Sequence, residues 1–114
     1  MPKCIFCKIA NGESPARIRF EDDDLVAFDD INPKAPFHVL VVPKKHLKNL
    51  NHTVKSDQDL LGHLLLTARK IAEEAKIAEG GYKIVINNGK ESGQLVDHLH
   101  LHILGGKLLA RMDV

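Results

Sequence analysis

Apolar positions alternate with polar ones, or run together, in five short stretches of this chain, each bounded by turn-forming residues. The stretches are Arg17 to Glu21, Leu25 to Asp29, Phe37 to Val42, Tyr82 to Asn87 and Asp97 to Leu104, and their pattern predicts strands. The acidic run Glu21-Asp22-Asp23-Asp24 separates the first two, so a hairpin is expected there. Between the third and fourth stretches the period changes. Leu61, Leu64, Leu65, Ala68, Ile71, Ala72 and Ala75 recur at spacings of three and four, which predicts one long amphipathic helix. Ser56 or Asp57 is the expected cap at its start and Gly80-Gly81 the stop at its end. Strands follow one another instead of alternating with helices, so the fold class is α+β, an antiparallel sheet with a helix on one face. Leu60 and Leu66 lie off the main helical stripe and widen its apolar arc, which points to a homodimer.

Composition narrows the class. At 114 residues and 44% hydrophobic content, residues 1–114 are expected to form a single domain around one core. Trp is absent and aromatic residues are scarce, so aliphatic side chains must fill that core. Sixteen basic and fifteen acidic residues leave a net charge of +1, which argues against a nucleic-acid partner. No stretch approaches the roughly 20 apolar residues of a membrane span. Nor does the start, Met1-Pro2-Lys3-Cys4, open a secretory signal. A cytoplasmic protein without a membrane partner is expected.

The chemistry concentrates in Asp97-His98-Leu99-His100-Leu101-His102-Ile103-Leu104-Gly105-Gly106. Period two puts His98, His100 and His102 on one face of the fifth strand and Leu99, Leu101 and Ile103 on the other, toward the core. Three imidazoles so close cannot all be protonated without mutual repulsion. The residues alone leave two functional readings, a metal site made of imidazoles and nucleophilic catalysis by a neutral imidazole. Just upstream, the glycine-rich polar loop from Asn87 to Gln94 can bring backbone N–H groups and side-chain amides to an anion. His38 opens the third strand after Asn32-Pro33-Lys34-Ala35-Pro36. The Cys4-Ile5-Phe6-Cys7 spacing points to metal or redox chemistry in a reducing compartment.

Together these segments resemble the histidine triad nucleotide-binding family, in particular its Hint branch of purine nucleoside phosphoramidate hydrolases. The resemblance runs over nearly the whole chain. It is carried by Cys4 to Ile9, by Phe28-Asp29-Asp30-Ile31-Asn32-Pro33, by Pro36 to His46, and by Gly93-Gln94 through Gly106. It implies a histidine-triad-like fold with a five-stranded antiparallel sheet, one long helix and a short N-terminal helix, in a homodimer. It also implies that His100 attacks the α-phosphorus of a nucleoside 5′-phosphoramidate, expels the amine, and forms a nucleotidyl-histidine that water hydrolyses. Aminoacyl-adenylates are implied as further substrates, and an AMP- or GMP-type purine nucleotide as the ligand.

By the same resemblance His102 and His38 complete the catalytic set by holding the phosphate, with Asn87, Gly93 and Gln94 as polar contacts to phosphate and sugar. Asp30 takes the ribose hydroxyls, while Phe28 and Ile31 wall the base pocket. Cys4, Cys7, His46 and His98 are implied ligands of a structural zinc, two thiolates and two imidazoles, and no organic cofactor is expected. Two departures are visible. Leu95 stands where the family often has a hydroxyl residue that assists the leaving amine. Lys107 replaces an arginine after Gly-Gly, and the tail from Leu108 to Val114 lacks the family's Trp-Pro. Two rivals remain: a non-catalytic nucleotide-binding module acting through protein partners, and a metal held on the triad by His100 and His102.

Overall fold

Asp22 makes the first turn. Its Oδ1 accepts from the backbone N–H groups of Asp24 and Leu25 at 2.9 and 2.8 Å, which folds β1 (Ile18–Glu21) back onto β2 (Leu25–Asp29) as the expected hairpin. The computed structural model describes residues 4–107. Its remaining elements are α1 (Ile5–Ala10), β3 (Phe37–Pro43), α2 (Gln58–Glu74), β4 (Tyr82–Val85) and β5 (Leu101–Gly105), with single 3-10 turns at Leu50–His52, Lys55–Asp57 and Lys90–Ser92. The five strands form one antiparallel sheet in the order β1-β2-β3-β5-β4. The α+β class, the long helix and the short N-terminal helix are as expected. The tail from Leu108 to Val114 lies outside the described residues.

The strand period divides the sheet into two faces. Leu25, Ala27, Val39, Val41, Leu101 and Ile103 face one way and pack on Leu64, Ala68 and Ile71 of α2. Val26, Phe28, Leu40 and Val42 face the other way and are covered by Phe6 of α1, with Ile9 and Ala10 alongside. Because Leu40 is opposite His102 and His38 opposite Leu104, both of these histidines belong to the α1 face.

Three details of α2 differ from the expectation. Asp57 stands at the N-cap position of α2 as expected, but its side chain makes no capping bond to the helix; its Oδ2 accepts from the Val54 N–H at 2.9 Å, closing the 3-10 turn before the helix. The helix ends at Glu74, ahead of Gly80-Gly81. Lys76 takes a left-handed φ of 63°, and the Ile77 N–H donates to the Ala72 carbonyl at 3.1 Å, a Schellman-type close without glycine. Leu65, placed on the core stripe by its spacing, is exposed beside Leu66, while Thr67 is buried in its stead.

The fifth strand starts at Leu101, not Asp97. Val41 pairs with Leu101, so continuing the ladder would set Leu99 against Pro43, which has no N–H to donate. The Leu99 N–H instead donates to the Leu47 carbonyl at 2.6 Å, and the chain bends away before the ladder begins. At the other end Gly105 fits close: a Cβ there would lie 2.8 Å from Ile77 Cδ1.

Candidate active site and metal centre

The bend before β5 keeps the alternation of the three histidines while taking the first two out of the ladder. Leu99, Leu101 and Ile103 are fully buried on the core side. The opposite side is not an open surface, as the alternation alone suggests, because α1 lies over it. Phe6 sets its ring edge against His100 at 5.1 Å and against His98 at 5.9 Å, leaving those residues 5% and 0% exposed. His100 and His102 are neighbours, with ring centroids 4.9 Å apart.

Hydrogen bonds assign the tautomer of each ring. A neutral imidazole has one N–H and one lone pair, so fixing one nitrogen fixes the other. The His100 Nδ1–H donates to the His98 carbonyl at 2.7 Å, which leaves Nε2 with its lone pair. The His98 Nε2–H donates to the Pro43 carbonyl at 2.7 Å, which leaves Nδ1 bare. His38 is fixed from the opposite direction: its Nδ1 accepts the Lys34 backbone N–H at 3.0 Å, so the proton is on Nε2. That Nε2–H points at His102 Nδ1, 2.9 Å away, with Asp30 Oδ2 3.4 Å from the same nitrogen. His102 therefore carries its own proton on Nε2. That atom is the one buried side-chain nitrogen or oxygen without a partner among the described residues. An unmade bond of this kind costs about 1–3 kcal/mol, and it marks a place where a ligand atom belongs.

Burial, the largest cause in each case, holds His38, His98 and His100 below the usual imidazole pKa; His102 falls to about 4, with the neighbouring His100 and His38 adding to the effect. Near neutral pH all four rings are uncharged. His100 then presents an unprotonated, unpartnered Nε2, the state a nucleophile requires.

Behind this set lies a cluster of four donors. Cys4 Sγ is 3.3 Å and Cys7 Sγ 3.5 Å from the bare His98 Nδ1. His46 Nδ1 is 3.2 Å from Cys7 Sγ and 3.1 Å from His98 Nδ1. All four ligand atoms fall within 4.8 Å of one another. Two sulfurs and two imidazole nitrogens converging on one point suit a closed tetrahedral ion, and the Pro43 carbonyl holding the far side of His98 is the outer support such ligands have. Burial raises the Cys7 thiol to about 11, helped by its contact with Cys4; a bound cation would draw that proton off.

Asp30, His38 and His102 also come close enough to suggest a metal. The Lys34 N–H opposes it. It occupies the His38 Nδ1 lone pair, so freeing Nε2 for a metal would demand an imidazolate.

Comparisons with known proteins place the fold. The HIT (histidine triad) domain model matches residues 11–108. The chain belongs to the HIT family. A HIT-like protein of Synechocystis is 53% identical over 103 residues, covering 90% of each chain. Two solved structures superpose closely. One is a HIT family hydrolase from Legionella pneumophila, with TM-score 0.92 and 46% identity over 94% of this chain and 96% of that one. The other is a histidine triad protein from Clostridium difficile, with TM-score 0.94 and 45% identity over 99% and 98%.

Within this HIT domain the other expected site residues are placed unequally. Asp30 lies beside His38, and its Oδ1 is taken by the Asn32 N–H at 2.8 Å. Asn87 is half-buried just past the end of β4, and Gly93 closes the 3-10 turn in a left-handed conformation. Ile31, next to Asp30, is 89% exposed, and Leu95 is 92% exposed. Phe28 is buried under Phe6, their centroids 5.5 Å apart, so it supports the site from beneath.

Gln94 departs from the role its position implies. Its Oε1 accepts from the Gly89 N–H at 2.7 Å and from Asn49 Nδ2 at 3.3 Å, while its Nε2 donates to the carbonyls of Lys48 and Val96 at 2.8 and 2.9 Å. The amide is saturated, and it ties the loop to residues 48 and 49 instead of reaching outward. Sequence reasoning also missed Phe6 and the Lys34 peptide. The first is hidden by reading the cysteine pair as a motif of its two ends, and a backbone N–H has no signature in sequence.

Proposed function

We propose that this HIT domain hydrolyses purine nucleoside 5′-phosphoramidates, and aminoacyl-adenylates by the same route, through a covalent intermediate on His100. The observation that carries the reading is the bond from His100 Nδ1–H to the His98 carbonyl, which leaves Nε2 unprotonated beside the buried, unpartnered donor of His102. In the first step His100 Nε2 attacks the α-phosphorus; the phosphorus–nitrogen bond breaks and the amine departs after gaining a proton, or, in an aminoacyl-adenylate, the phosphorus–oxygen bond breaks and the amino-acid carboxylate departs. In the second, water attacks the nucleotidyl-histidine, the phosphorus–imidazole bond breaks, and the nucleoside monophosphate leaves. Two modest displacements replace one difficult one. Preorganised donors around the phosphate oxygens supply electrostatic stabilisation as charge redistributes.

In this reading Asp30 faces the ribose, Ile31 borders the base, and Asn87 and the Gly93 backbone approach the phosphate and sugar. Cys4, Cys7, His46 and His98 hold a structural zinc, whose contribution is to tie α1 to the segment leading into β5. The exposed Leu65 and Leu66 of α2 favour a homodimer.

The test is incubation with an adenosine 5′-phosphoramidate, following amine release together with mass spectrometry of acid-quenched protein. An AMP adduct on the peptide carrying His100 is expected. His100→Ala should lose at least about a thousandfold in turnover while still binding AMP. Normal turnover by His100→Ala would remove the nucleophile, and AMP binding without any turnover in the wild type would favour a binding module.

A further inference from the structure

The hydrogen-bond chain through His38 ends on a peptide, and that limits what His102 can do. A histidine acting as a general acid must lose a proton and then recover one. His102 lies at the end of a one-way series: Lys34 N–H to His38 Nδ1, His38 Nε2–H to His102 Nδ1, and a His102 Nε2–H that no protein group accepts. Were His102 to give up its Nε2 proton, it would have to take the proton of His38, and His38 would have to take one from the Lys34 amide. A peptide N–H does not yield a proton under these conditions, so the series stops there. Nor can either ring become a cation with the bonds intact, since the spare lone pair of each already accepts a hydrogen bond.

We propose that His38 and His102 form a tautomerically locked donor, set by the Lys34 peptide N–H, which holds a phosphate oxygen of the substrate and does not protonate the leaving amine. The inference rests on the hydrolase reading and deepens it. The Lys34 peptide and His38 are positioning groups, and His102 touches substrate as a fixed hydrogen-bond donor. The proton required by the departing nitrogen comes from solvent water. Leu95, almost fully exposed beside the tied loop, has none to give. The reaction is thereby directed toward amines that leave without strong assistance, such as aryl and other weakly basic amines, over alkyl amines.

Two measurements test the lock. First, 15N-resolved imidazole spectra of the wild type near neutral pH should give His102 and His38 as neutral Nε2–H tautomers. A cationic His102, or a proton on its Nδ1, overturns the proposal, and this result does not depend on any substrate. Second, His102→Gln places an amide oxygen to accept from His38 and an amide N–H to donate, yet it cannot act as an acid. It should retain turnover within about tenfold of wild type, whereas His102→Ala should lose about a hundredfold or more, the usual loss for removing one such donor. Across adenosine phosphoramidates of graded amine basicity, the deficit of His102→Gln should stay constant. A deficit that widens with amine basicity, or His102→Gln as inactive as His102→Ala, would make His102 the acid and overturn the lock. Absence of turnover in the wild type on every phosphoramidate would instead count against the hydrolase reading, with the spectra still deciding the tautomers.

Discussion

His98 and His100 are joined by one hydrogen bond, from the His100 Nδ1–H to the His98 carbonyl at 2.7 Å, and the ring of the same His98 presents its bare Nδ1 to Cys4 and Cys7. One residue thus belongs to both the thiol cluster and the setting of the proposed nucleophile. Its main chain serves the one and its side chain the other.

Zinc is expected to bind at one equivalent per chain and to be lost in Cys4→Ser. Loss of the tie should lower Tm by at least about 5 °C. Because no bond-making step runs through the ion, turnover per folded molecule should fall by less than the roughly tenfold to hundredfold typical of damaged ligand support in catalytic metal sites. Elemental analysis with differential scanning calorimetry checks this; an unchanged metal content in Cys4→Ser would refute the four-ligand set.

Acid should unfold the domain early. Burial, first among the causes, holds His38 below the imidazole value of 6.5 and takes His102 to about 4, so the unfolded chain binds protons that the folded one refuses. The stability from this difference is complete above about pH 6.5 and is lost as pH falls toward 4, where His102 titrates in the fold. Urea melts at intervals from pH 7.5 to 4.5 should move steadily to lower midpoints, and less so in His102→Gln. Midpoints that stay level over that range would contradict the neutral pair.

Gln94 should behave as a structural tie. Gln94→Ala strands the Gly89 N–H and the Lys48 carbonyl, while the Val96 carbonyl keeps the His98 N–H at 2.9 Å, for a loss of about 2 kcal/mol after partial rescue by water. Gln94→Glu keeps the acceptor and loses the donors, so it should recover only part of this. Chemical denaturation reads both variants, and full stability in Gln94→Ala would return the amide to a substrate-facing role.

The expected dimer puts Leu65 and Leu66 of α2 to use, since both are about half exposed on a helix whose other face is buried. Leu66→Glu should convert dimer to monomer by size-exclusion chromatography with light scattering. A monomeric wild type at micromolar concentration would leave that apolar arc without its proposed partner.

Much of this was legible beforehand because period and turn chemistry are local. The five strands, the Asp22 hairpin and the helix follow from side-chain alternation, which neighbouring residues impose on one another. Grouping of His98, His100 and His102 on one side also survived, even though only His102 is in the ladder. What was not legible depends on distant pairing. That β5 begins late follows from Pro43 on another strand, and that the histidines are covered follows from Phe6, ninety-odd residues upstream. Gln94 looked like a ligand contact because its type is suited to one; its partners at Lys48 and Asn49 come from a loop that only folding brings near.

Separation of the two sheet faces has an evolutionary corollary. Leu101 and Ile103 look toward α2 while His102 looks toward α1, so adjacent positions answer to different selective demands. A change such as Ile103→Val should soften the domain by about 0.5–1.5 kcal/mol and leave the rate constant of each folded molecule as it was. A lineage can therefore retune its working temperature through one set of positions while its chemistry, lodged in the alternate set, stays put.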